Sequence, residues 1–134
     1  MPESSPLLRR YAAVMMTERI AIGGAAALAP GALLSAFGID ASEDSPTLRY
    51  FARLFGIRNA VLGVLLWQVR HDPDRLASVA RINAFTEILD AMAGAAPLVA
   101  RQGRDRSAVA AVATSLAVSA GFAGLSVAAR RRAR

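Results

Sequence analysis

No cysteine and no lysine occur among the 134 residues, and histidine occurs once, at His71. Without cysteine there is no disulfide scaffold, no zinc ribbon and no thiol nucleophile. A single histidine leaves little for a histidine metal site or a Ser-His-Asp triad. Charge of either sign is scarce. Charged residues make up 19% of the chain against 54% hydrophobic, and the mean hydropathy is +0.37. That balance is too apolar for an ordinary soluble domain of this length and excludes a disordered chain. The net charge of +6 rests on arginine alone. These absences leave a single membrane domain as the first reading.

Two stretches carry no charge over membrane-spanning length: Ile20 to Ile39, twenty residues, and Ser107 to Ala129, twenty-three. Each is long enough as a helix to cross roughly 30 Å of hydrocarbon. Thr47 to Val69 has the length but carries Arg49, Arg53 and Arg58; Leu76 to Ala100 has it with Arg81, Glu87 and Asp90. Ser5-Pro6, Ser45-Pro46 and Asp72-Pro73 each set a capping residue before a proline, the signature of a helix start. Gly38 closes the first helix, and the polar run Arg101 to Arg106 parts the third from the fourth. Connections this short make consecutive helices antiparallel neighbours. The expectation is one all-α domain over residues 1–134, an antiparallel four-helix transmembrane bundle, with Pro30 and Pro97 kinking their helices. A signal peptide is the rival reading of the N-terminus, but the apolar stretch after Arg19 is too long for one and runs into a helix C-cap.

Arginine placement predicts orientation. With both termini in the cytoplasm, eight arginines lie inside (Arg9, Arg10, Arg70, Arg75, Arg130, Arg131, Arg132, Arg134) against Arg101, Arg104 and Arg106 outside. The first outer loop is acidic through Asp40, Glu43 and Asp44. The chain is thus expected in the inner, cytoplasmic, membrane, with Trp67 and Tyr50 as interfacial anchors. The Arg130 to Arg134 cluster, without interleaved aromatics and directly after an apolar span, reads as a topology anchor on anionic headgroups rather than a nucleic-acid tail.

Polarity inside the apolar helices marks the interior. On the third helix Asn83, Thr86, Glu87, Asp90 and Gly94 fall within about a 100° arc, and carboxylates at that depth face the bundle rather than lipid. On the second, Ala52, Gly56, Ala60 and Gly63 form a small-residue ridge within about 80°, bordered by Arg53, while Arg58 points roughly 140° from Arg53. The first helix aligns Glu18 with Ala21, Ala25 and Ala29; the fourth aligns Ser115, Ser119, Phe122 and Ser126. At 1.5 Å per residue Arg58 lies level with Glu87 and Asp90, which predicts an ion pair there. Glu18 lies level with Arg81, which predicts a second.

These charges have two readings. One is a buried pair that fixes helix register. The other is a polar pocket in which Glu87 and Asp90 hold a catalytic proton and Arg53, Arg58, Asn83 and Thr86 bind a ligand. Two carboxylates one turn apart repel, so one is expected to keep its proton unless arginine neutralises both. A diiron bundle is excluded, since His71 has no glutamate three residues before it. No phosphate loop, nucleophile elbow or zincin motif is present, and no cofactor or metal is implied. The function expected is binding of a membrane lipid, another lipophilic small molecule or a membrane partner. The alternatives are an acid-base isomerase or cyclase acting on a lipid-soluble substrate, and a structural accessory subunit. Among partners, nucleic acid is not expected; a homo-oligomer is left open, and a soluble bundle burying these helices against a second copy is the surviving alternative to the membrane.

The order Ala29-Pro30, Ala36-Phe-Gly-Ile39, Arg53-Leu-Phe-Gly-Ile-Arg58-Asn-Ala-Val-Leu-Gly63, then Asp90, resembles a family of small four-helix integral membrane proteins that are broadly DoxX-like. The resemblance runs from about Ala29 to Gly94. Its mark is Gly, aliphatic, Arg, acid, then a later Gly; Gly56, Ile57, Arg58 and Gly63 fit it, while Asn59 stands where the family has the acid. That exchange leaves Arg58 dependent on the third helix for a partner. The resemblance implies the four-helix membrane fold and no particular activity.

Overall fold

The computed structural model describes residues 6–99 and 106–133. Among them it contains five α-helices and no strand: α1 (Pro6–Leu28), α2 (Pro30–Ala36), α3 (Pro46–Val69), α4 (Pro73–Val99) and α5 (Arg106–Ala133). Residues 100–105, most of the basic run between the last two helices, lie outside the described residues, as does Ser5.

Helix starts obey the proline rule. Ser45 accepts a hydrogen bond from Leu48 N at 3.2 Å ahead of Pro46, and Asp72 Oδ1 accepts one from Arg75 N at 3.0 Å ahead of Pro73. Gly38, with φ at 79°, follows α2, and Ile39 N reaches back to Leu34 O at 3.0 Å, so the chain leaves the helix through a left-handed residue where glycine is favoured.

One predicted helix is two. The expected kink at Pro30 is a break, with α1 and α2 bent by 116°. Proline supplies no N–H and forces the preceding residue out of the helical region, and Ala29 takes φ −131° and ψ 61°. α2 then restarts with Pro30 in its first turn and folds back over the bundle end. Pro97, by contrast, lies within α4, which continues to Val99.

α1 packs chiefly against α3, and α4 against α5; the contacts joining the two pairs are thinner. The small-residue ridge explains the first pair. A Cβ added at Gly23 would lie 2.5 Å from Ala60 N, and one at Gly56 2.6 Å from Ala27 N, so only glycine permits this approach. The face α1 buries is Leu8, Ala12, Met15, Arg19, Gly23 and Ala26, not the expected Ala21, Ala25 and Ala29, which are exposed. Serines lock the second pair: Ser119 Oγ donates to Ala84 O at 3.0 Å and Ser126 Oγ to Ala77 O at 2.9 Å, with Phe122 fully buried between them.

At one end, where α1 and α4 begin and α3 and α5 finish, Leu8, Met15, Leu66, Leu76, Phe122 and Leu125 make a dry core. The outer surface is also apolar: Leu54, Ile57, Val61 and Val64 on α3 and Ile82, Phe85, Ile88 and Met92 on α4 are exposed. α3 and α5 are each long and apolar enough to cross a membrane, and α1 with α2 adds a third if counted as one bent span.

A cavity over a buried ion pair

Opposite the dry core, the seam between the two helix pairs opens into a cavity of about 400 Å³. All five helices line it: Ile22 from α1, Leu33 and Leu34 from α2 with Phe37 just after it, Phe51 and Phe55 from α3, Ala93 from α4, and Thr114, Ser115 and Val118 from α5. The polar lining is concentrated in Glu18, Arg19, Asn59, Glu87 and Asp90. The bend at Pro30 lets α2 roof this end.

Arg19 is the centre of the charged group. It is 2% exposed, and its Nη2 lies 2.6 Å from Glu87 Oε1, itself on a 5% exposed residue. That contact is Coulombic, since Nη2 is not aligned for a hydrogen bond. Nη1 donates to Asn59 Oδ1, and the guanidinium lies over the Phe122 ring, 4.8 Å from its centroid. Asn59 Nδ2 donates in turn to Phe55 O at 2.9 Å. The group ties α1, α3, α4 and α5 together at the boundary between core and cavity.

A second pair closes one flank. Arg58 donates through Nη1 and Nη2 to the two carboxylate oxygens of Asp90, at 2.8 and 2.5 Å, a bidentate fork between α3 and α4 at the matched depth expected from the sequence. Arg58 also covers the Phe55 ring at 5.1 Å. Glu87, the other acid expected near Arg58, takes Arg19 instead.

The remaining sequence candidates are dispersed. Asn83 is fully buried and donates to Val79 O at 3.0 Å, while its Oδ1 has no hydrogen-bond partner. Thr86 donates to Ile82 O, one turn back on its own helix, at 2.9 Å. Arg53 is exposed, and neither it nor Asn83 nor Thr86 lines the cavity. The expected Glu18–Arg81 pair is absent. Arg81 is exposed and donates to Ser78 Oγ at 3.3 Å, because it sits about 120° around α4 from the inward Glu87. Glu18 is half-buried at the cavity wall with no ion pair among the described residues.

Arg19 and Asn59 are the buried polar residues at the cavity that sequence reasoning did not place there. Their signal was positional: Arg19 continues the spacing Met15, Gly23, Ala26, and Asn59 stands between Gly56 and Gly63 on the ridge. Among the described residues no cluster of three or more acids or histidines could hold a metal ion. Outside the cavity, Arg49 Nε and Nη2 grip Asp44 at 2.7 to 3.1 Å across the start of α3. Its hydrogen bonds, and secondarily its charge, hold the Asp44 carboxyl below the usual carboxylate range.

No family model, curated protein or solved structure matches the chain.

Proposed function

We propose that the chain is an integral protein of the inner membrane that crosses it four times, through α1 with α2, then α3, α4 and α5, and holds a lipophilic molecule bearing a polar group in the cavity. The observation that carries this reading is the cavity's divided chemistry, with aliphatic and phenyl walls above a charged floor. Its volume of about 400 Å³ falls in the range of small-molecule sites. The ligand's apolar part lies against Leu33, Phe37 and Phe51; its polar group meets the Glu18 carboxyl and the hydroxyls of Thr114 and Ser115. Both termini lie in the cytoplasm in this reading, which sets the exposed Arg9, Arg10, Arg130, Arg131 and Arg132 at the inner face. Membership of the DoxX-like proteins, on the Gly56 to Gly63 motif, is part of the same proposal.

The test is mass spectrometry of lipophiles that copurify with the full chain in nanodiscs of defined lipid. One species enriched over bulk lipid, and lost in Ser115→Phe at unchanged helicity, supports the binder. Equal retention by both chains removes it.

One observation favours a second reading, an isomerase or cyclase. Of the three cavity acids, Glu87 and Asp90 each face an arginine, Arg19 and Arg58, while Glu18 has no ion-pair partner among the described residues. The proton for acid-base work then belongs on Glu18, with Glu87 and Asp90 setting the field around it. Turnover of the retained molecule, abolished in Glu18→Gln while retention persists, distinguishes the enzyme from the binder.

A further inference from the structure

At the dry-core end a second depression, of about 990 Å³, runs between the start of α1 and the finish of α5. Its walls are apolar, with Leu7, Val14 and Val127 all more than half exposed. Its rim is basic, with Arg10 from α1 and Arg131 and Arg132 from α5. None of these three arginines has an ion pair among the described residues, and the first turn of α1 contains no acid. Tyr11 does not compete for a ligand there, because its hydroxyl is committed to Gly121 O at 2.6 Å. Along α1, Leu7 lies on the outer side of Arg10 and Val14 about 6 Å further into the bundle.

We propose that this groove seats one anionic phospholipid, its phosphate between Arg10, Arg131 and Arg132 and the start of an acyl chain along Val14 and Val127, with Leu7 flanking the headgroup. Charge complementarity selects the occupant. Three guanidinium groups with no ion pair among the described residues line one rim from two helices, and the apolar Val14 and Val127 continue from that rim toward the bundle middle. A zwitterionic headgroup brings no net charge to the arginines, and a free phosphate leaves the trough empty. The seated lipid fills the thin α1–α5 contact and joins the two helix pairs at the end opposite the cavity.

The probe is native mass spectrometry of the full chain, delipidated in neutral detergent and titrated with phosphatidylglycerol or phosphatidylcholine. One tightly held phosphatidylglycerol per chain is expected, with phosphatidylcholine far weaker. At about 1 kcal/mol per arginine, or about fivefold, the triple variant R10Q/R131Q/R132Q loses on the order of a hundredfold in affinity. R53Q/R81Q, with exposed arginines off the groove, retains it. Equal loss in the two variants would show general surface charge and overturn the seat. A second measurement needs no variant: dihexanoyl phosphatidylglycerol and inorganic phosphate compete for the wild-type site. Displacement by inorganic phosphate at the same concentration as by the short-chain lipid overturns a lipid site in favour of a phosphate site.

Discussion

Arg19 and Glu87 are buried together, and removing either leaves the other as an uncompensated charge. Arg19→Met is expected to cost about 3 to 5 kcal/mol, and pairing it with Glu87→Leu should restore most of that loss, because the apolar pair needs no desolvation of charge. Thermal unfolding in detergent reads the cycle; simple addition of the two losses would mean the residues do not act as a pair. At the surface, Asp44 makes a gentler prediction. Its folded carboxyl titrates below the ordinary value of 3.8, so its stabilising contribution is complete above that pH and fades as pH falls through the lower folded value. An NMR titration should show the depressed midpoint in the wild type and its return toward 3.8 in Arg49→Gln. Residue by residue, the sequence was legible where depth alone decided the partner, as for Arg58 and Asp90. It was not legible for Arg19. That residue looked like the edge of an uncharged span, and its inward direction depends on α1 turning its Gly23 face to α3.

The helices differ in what their glycines do. Gly56→Leu should separate α1 from α3, since even a Cβ there would meet Ala27 N at 2.6 Å and Gly23 O at the same distance. Loss of monodisperse protein on size exclusion is the expected result. Gly24→Ala, in the interior of α1 and with nothing within 4 Å, should be tolerated or stabilising by about 0.5 to 1 kcal/mol. Similar unfolding temperatures for the two variants would remove the close α1–α3 contact. Helix starts and the α3 ridge were readable because capping, proline and small-residue spacing are local signals. The break at Pro30 was not, because a proline in an apolar run kinks or ends a helix according to what the next segment packs against. Here Leu34 is buried, and with Phe37 it faces the cavity, so the chain turns back over the bundle instead of running on.

Among the described residues the Arg19–Glu87 pair is buried, while aliphatic side chains such as Ile57, Val61 and Ile82 stand exposed along the middle of the helices. Of the aligned Ser115, Ser119, Phe122 and Ser126, the last three pack in the α4–α5 seam and Ser115 lines the cavity, which was beyond reach of the sequence because it depends on how two helix pairs are spaced. In the four-crossing reading the protein stays with membranes after alkaline carbonate washing, and release into the supernatant would favour a soluble assembly. Labelling of single cysteines is more direct, and the natural chain has none to interfere. Val61 and Ile88, 53% and 43% exposed, lie on the outer faces of α3 and α4. A thiol in hydrocarbon does not ionise and meets no water-soluble reagent. Val61→Cys and Ile88→Cys in intact membranes should therefore resist a water-soluble maleimide and react fully once the protein is denatured. Rapid labelling of both before denaturation would contradict the account, since it would put the apolar outer faces in water.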